Sequence, residues 1–336
     1  MALPGGIVGR SHLAWRALAS VAGAGLLVWA TSCPAGANDR SSKTIRIIVP
    51  VAAGSSLDAR ARVIAQALGQ RLGQQPIVEN KPGAGGTIGS AYVAKSAPDG
   101  SVLLFTNDAL VINPHVYRDP GYDALKDFAP ITQAYVSSMV LIESRTAKPQ
   151  TVQDLVALAR DRPGTLTYGS SGNGGLPHLA MEVFNRMAGL SLVHVPYKGD
   201  SQALTDLLAG RISIMVSGIP AALGYIRSGD MRALAVTGAQ RVRALPNVPT
   251  VAEAGLPGFD VFAWTGFFAP TGTPAQLVDQ LNRDLVASLS SEAVRAHLEA
   301  TGGQPATSSP TEFSLLVRQE FERYGKLVKA IGLKLD

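Results

Sequence analysis

Two short stretches of small polar residues have the types and spacing to hold an anion. Ala52-Ala53-Gly54-Ser55-Ser56-Leu57-Asp58 follows the β-branched run Ile45-Arg46-Ile47-Ile48-Val49-Pro50, and Gly169-Ser170-Ser171-Gly172-Asn173-Gly174-Gly175 follows Leu166-Thr167-Tyr168. Each leads into apolar residues at helical spacing. A helix start carries unpaired N–H groups and about half a positive charge, so a turn of this kind can grip a carboxylate without a dedicated arginine. Two such turns facing one crevice would hold a ligand from both sides. The plain alternative is that both are only tight turns. Asp58 has the position of a first-turn carboxylate that bonds its own helix backbone, and His178 is equally suited to a structural hydrogen bond. Tyr197, Lys198, Gly199 and Asp200 follow a further strand and could line the same crevice, although solvent is the default surrounding for Lys198.

Enzymatic readings of the same residues fare worse. Gly169-Ser170-Ser171-Gly172 hints at a serine nucleophile, and a serine hydrolase is the remote alternative, but Asn173 breaks the G-x-S-x-G pattern. The five histidines are scattered without paired metal-ligand spacing, so no metal site is expected. Gly83-Ala84-Gly85-Gly86-Thr87-Ile88-Gly89 resembles a dinucleotide loop until Ile88 is counted at the third glycine position. No cofactor and no catalysis are expected.

The elements that must position these turns alternate between strand and helix. Strands are predicted at 45–50, 76–79, 102–106, 139–142, 166–168, 192–195, 212–216, 234–237 and 266–269. Helices are predicted after each glycine-serine turn, at 87–95 and 152–160, and near 274–289, 292–301 and 310–331. Ser55 or Ser56 is the candidate N-cap of the first helix and Gly73 its stop, while Thr151 and Asp154 have near capping-box spacing. This alternation implies α/β layers around mostly parallel sheets flanked by helices. Roughly 300 mature residues exceed what one such core usually holds. Two lobes are therefore predicted, 43–142 joined by 263–336, and 143–262, with crossings near 142–148 and 257–263. Trp264, beside the second crossing, is either core or a reporter of lobe movement.

The chain has 336 residues, of which 46% are hydrophobic and 16% charged, which excludes a disordered polyelectrolyte or a coiled coil. Beyond residue 37 there are 28 Lys and Arg against 25 Asp and Glu, without a basic run, so no nucleic-acid partner is expected. Arg10, His12 and Arg16 precede the uncharged run 17–30, and Ala35-Gly36-Ala37 has the small-x-small pattern of a signal peptidase site. Residues 1–37 are predicted to be a signal peptide cleaved near Ala37, because the run falls short of the ~20 apolar residues of a permanent span. Cys33, the only cysteine, lies before that cleavage, which rules out an internal disulfide. A lipid anchor at Ala30-Thr31-Ser32-Cys33 is the second reading of this segment, weakened by Ala30 and by Pro34.

Five ordered blocks carry a family resemblance across the mature chain: the 45–54 segment, Val78-Glu79-Asn80-Lys81-Pro82-Gly83-Ala84-Gly85-Gly86, Ala97-Pro98-Asp99-Gly100, His194-Val195-Pro196-Tyr197-Lys198-Gly199, and 245–255 from Leu245 to Gly255. In order, they resemble the signature blocks of the Bug (TctC-like) periplasmic solute receptors. The resemblance implies a two-lobed periplasmic-binding-protein fold, a Venus flytrap of type II-like architecture. It implies a monomer in the periplasm that binds a small organic acid, whether a di- or tricarboxylate or an aromatic carboxylate, for a TctA/TctB-like membrane permease of a tripartite tricarboxylate transporter. A receptor reporting the acid to a membrane signalling partner is the alternative. The family's carboxylate contacts map onto Ala53, Gly54, Ser55, Ser56, Ser170, Ser171, Gly172 and Asn173. Two departures matter. Ser55 replaces a usual glycine, adding a hydroxyl to a more constrained backbone. Ser217 stands where many relatives have an aspartate suited to a ligand's ammonium, so an amino-acid ligand is disfavoured for want of a compensating charge.

Overall fold

The computed structural model describes residues 44–335. The predicted signal peptide with its cleavage point at Ala37, and Cys33, lie outside them. Among the described residues, no helix is long and apolar enough to cross a membrane.

The first strand, β1 (Arg46–Val49), buries Ile47, Ile48 and Val49 completely because both sheet faces are covered. The following α1 (Ser56–Leu72) starts where its sequence demands. Ser55 takes the N-cap in extended conformation, its hydroxyl accepting from the Asp58 N–H, and Gly73 closes the helix in the left-handed region that a side chain disfavours. The remaining elements are β2 (Ile77–Asn80), α2 (Thr87–Ala94), β3 (Val102–Asn107), α3 (Ala109–Val116), β4 (Phe128–Ser144), α4 (Val152–Asp161), β5 (Thr167–Ser170), α5 (Leu176–Ala188), β6 (Val193–Pro196), α6 (Asp200–Leu208), β7 (Ile214–Gly218), α7 (Ile219–Ser228), β8 (Met231–Val236), β9 (Phe262–Pro270), α8 (Ala275–Leu289), α9 (Glu292–Ala300), β10 (Gln304–Pro305) and α10 (Pro310–Ile331).

Ten strands connect in the order β2-β1-β3-β9-β4-β7-β5-β6, with β8 and β10 added on β4. The expected parallel pairs sit at the flanks, β1 with β2 and β3, and β5 with β6 and β7. The middle is antiparallel: the long strand β4 runs through both halves, and β9 joins it to β3. β4 pairs with β9 as far as Ser138↔Phe262, then with β7 from Met139↔Gly218 and with β8 from Val140↔Val236. The pairing thus changes partners between Ser138 and Met139, ahead of the 142–148 crossing expected from sequence. β9 starts at Phe262.

Sequence patterning finds only the end of β4. Its register shifts between Pro130 and Thr132 and between Gln133 and Tyr135, so the two-residue alternation is broken where the strand bulges. It also misses α3, which contains Pro114, and α7, which starts at Ile219 directly after β7 and has Pro220 in its first turn. On one sheet face, α1, α8 and α9 cover Ile47, Leu103, Phe105 and Phe267. On the other, α10 brings Phe313 against Phe268 and edge-on to Trp264, with ring centroids 4.9 and 5.6 Å apart. Trp264 is fully buried there, which makes it core.

Candidate functional site

A cavity of about 680 Å³ opens where β4 passes from one half of the sheet to the other. Its floor is Tyr135, Ser137, Ser138 and Met139 of β4 with Ala263 and Thr265 of β9. Its walls come from the starts of five helices: Ser56 of α1, Ala109 of α3, Leu176 and Pro177 of α5, Asp200 of α6, and Ile219 and Pro220 of α7. Helix starts converge here because parallel strands deliver the chain to one sheet edge before each crossover helix. Their orphan N–H groups give the cavity a positive potential.

Of the residues singled out from sequence, Ser56, Ser171 and Asn173 line this cavity. Ala53, Gly54 and Ser55 do not. The Gly54 N–H is taken by Asp58 Oδ2 at 2.8 Å, and the Ser55 hydroxyl is the helix cap, so neither group is free for a ligand. Serine in place of the usual glycine costs no strain, since Ser55 has φ −70°. Asp58 is buried as the hub of the turn. Burial pushes its pKa up, but bonds from Arg62, the Gly54 amide and Asn80 outweigh this and hold it below the usual range.

Ser170 is fully buried beneath its turn, bonded to both backbone groups of Gly172, with its hydroxyl 2.7 Å from His194 Nε2. His178 is also buried and accepts the Gly174 N–H at Nδ1. The two imidazoles stack with centroids 3.9 Å apart, and Tyr168 stacks on His194 at 4.8 Å. Ser170, Gly172 and His178 therefore shape the turn from below and leave Ser171 and Asn173 facing the cavity. Ser170 with His194 has the pairing a hydrolase would need, but its hydroxyl is sealed and no acid among the described residues bonds His194. Tyr197 lies apart, donating its hydroxyl to Asp206 beside a separate surface hollow.

Burial pushes both His178 and His194 down to about 4, helped at His178 by the neighbouring imidazole. A depressed folded pKa means that the unfolded chain takes up protons first, so the pair's stability is complete above about pH 6.5 and is lost as pH falls toward 4. Relative to His194→Gln, the parent's advantage in unfolding free energy should shrink by on the order of 2 kcal/mol between pH 7 and pH 4. Denaturant melts at several pH values measure this; a constant difference would contradict it.

Sequence reasoning placed Asp200 among the residues that could line the crevice but missed three others, Asp108, Asn107 and Arg60. Asp200 lines the cavity, accepts the Ser217 hydroxyl at 3.3 Å, and keeps Oδ1 buried without a partner. Burial raises its pKa, opposed by the Ser217 and Ser171 hydroxyls and the Gly218 amide. The expectation built on Ser217 is thereby corrected: Ser217 itself is buried behind the wall, yet an acid stands beside it, supplied by α6, and a ligand's hydroxyl or ammonium has a compensating partner. Asp108 also lines the cavity, and burial, with Glu320 nearby, raises it to about 8. At neutral pH it is a neutral acid and does not repel an anion. Asn107 adds an amide to the same wall. Arg60 brings a charged side chain to a site expected to rely on backbone dipoles alone. The one available signal was spacing, since Ser56 and Arg60 are four apart on one helix face.

A family model described as the tripartite tricarboxylate transporter family receptor, TctC, matches residues 60–333. The chain belongs to this family. It is similar to BugT of Bordetella pertussis, 34% identical over 306 residues covering 90% of this chain and 94% of BugT. Among solved structures it is similar to R. palustris Rpa4515 with adipate, at 35% identity and TM-score 0.76, over 88% of this chain and all of that one. MatC from Rhodopseudomonas palustris, with bound malate, is 30% identical with TM-score 0.69, over 86% of this chain and 99% of MatC. This TctC-family chain thus shares the periplasmic-binding-protein fold, and its family is one of receptors rather than enzymes.

Proposed function

We propose that the protein is a periplasmic receptor that captures one small organic carboxylate in the cavity and hands it to a TctA/TctB-like permease. The observation that carries this reading is the convergence of five helix starts on one cleft, with Ser56 from one half of the sheet and Ser171 and Asn173 from the other. Adipate and malate in the two relatives favour the same ligand class. The lobes are residues up to 138 with those from 262 onward, and 139–261, joined through β4 and β9. Binding shifts the lobes toward closure by no more than the ligand's differential affinity for the closed form. The protein works as an exported monomer, its leader removed near Ala37.

Calorimetry with mono-, di- and tricarboxylates and aromatic acids tests this. One acid should bind at a single site, and Ser171→Ala or Asn173→Ala should each weaken it by about 1–3 kcal/mol, the cost of removing a buried hydrogen-bond partner. Retention of no acid, or unaltered affinity in both variants, would sink the proposal. Uptake and signalling are separated by gene neighbourhood, since permease subunits beside this gene favour uptake and a sensor kinase favours signalling.

A further inference from the structure

Arg60 is a buried cation without an acid. Its side chain lies at the cavity wall while the residue is only 7% exposed. The guanidinium donates through Nε to Thr301 Oγ1 at 3.1 Å and through Nη2 to the Thr301 carbonyl, and it lies over the Tyr135 ring, 4.4 Å from the centroid. Thr301 and Tyr135 line the same cavity. All three contacts are to neutral groups. Among the described residues no carboxylate pairs with Arg60, and its Nη1 makes no hydrogen bond.

A desolvated charge with only neutral partners is costly, and the cost is relieved when an anion arrives. Thr301 and Tyr135 fix the plane of the guanidinium, so its unused N–H groups form a preset fork of the shape that receives a carboxylate. Ser56, one turn earlier on α1, lies on the same face. The helix starts of α5 and α7 approach from the other half of the sheet and supply dipoles for one carboxylate. Arg60 is thus a second, independent source of positive charge.

We infer that Arg60 reads a second anionic group on the ligand, so that the receptor selects dicarboxylates over monocarboxylates of the same length. This rests on the carboxylate-receptor reading above and adds to it the number of charges recognised. A staple between α1 and the end of α9 is the structural role the same contacts could serve, and it predicts equal losses for every ligand.

The test is calorimetry on the mature chain with matched pairs, succinate against butyrate and adipate against hexanoate. The unaltered protein should bind at least one diacid about tenfold or more tightly than its monoacid partner, the range of a charge-assisted hydrogen bond. Arg60→Gln should remove that preference, weakening the diacid at least about tenfold more than its monoacid partner. If Arg60→Gln does not fold, Arg60→Lys is used, and it should weaken the diacid selectively. Equal affinity for both members of each pair in the unaltered protein, or equal loss of both in a folded variant, overturns the role of Arg60 alone. Absence of binding by any acid overturns the receptor reading and this inference together.

Discussion

Exchange of Gly266 for alanine is expected to lower stability by about 3 kcal/mol or more, at the top of the range for forcing atoms into a packed core. A Cβ at this position would lie 2.2 Å from Phe313 Cζ, 2.6 Å from Phe313 Cε1 and 2.7 Å from the Thr132 carbonyl oxygen. The ring could turn aside only into Trp264 and Phe268, and the carbonyl belongs to the adjacent strand β4. Relief therefore requires α10 to lift from the sheet or the β4–β9 pairing to open, next to the cavity floor. The melting temperature should fall by about 5–10 °C. A fall of less than about 1 °C would mean that α10 is packed more loosely than the contacts indicate.

The second large effect concerns charge. Asp108→Asn should stabilise the protein at pH 9 by on the order of 3 kcal/mol and have little effect near pH 4. Asp108 is 4% exposed, its Oδ2 has no partner, and Glu320 presses a second carboxyl toward it. Its folded pKa, about 8, lies above the unfolded value, so the folded state holds a proton the unfolded chain releases. That contribution is complete below about pH 4 and is lost as pH rises through 8. Asparagine keeps the shape, removes the titration, and escapes the loss. Paired melts of parent and variant from pH 4 to pH 9 decide it, and a pH-independent difference would show that Asp108 is not the buried acid responsible. The opposite slope of the His178–His194 pair makes each variant, rather than the parent curve alone, the proper probe.

Much of the scaffold was legible because its signals are local. Ser55 and Gly73 mark the ends of α1 in the sequence, and the Thr151–Asp154 capping box of α4 needs only residues three apart. The turns that form the cavity rim announce themselves by composition, but their orientation does not. Ser170 and Ser171 are neighbours of the same type, yet one is buried against His194 and the other faces the cavity. Ser55 and Ser56 divide in the same way between capping and lining.

By itself the sequence determined the alternation of strand and helix, the glycine-serine turns at helix starts, and the family, since each depends on residues close together or on ordered motifs. The tertiary structure alone decided which side chains share the cavity. Arg60 acquires its place from Thr301, 241 positions away, and from Tyr135 on a bulged strand. Asp200 becomes a cavity acid because α6 starts beside Ser217 of β7. Burial and charge pairing are properties of neighbours in space, and no spacing along the chain encodes distances that chain folding sets.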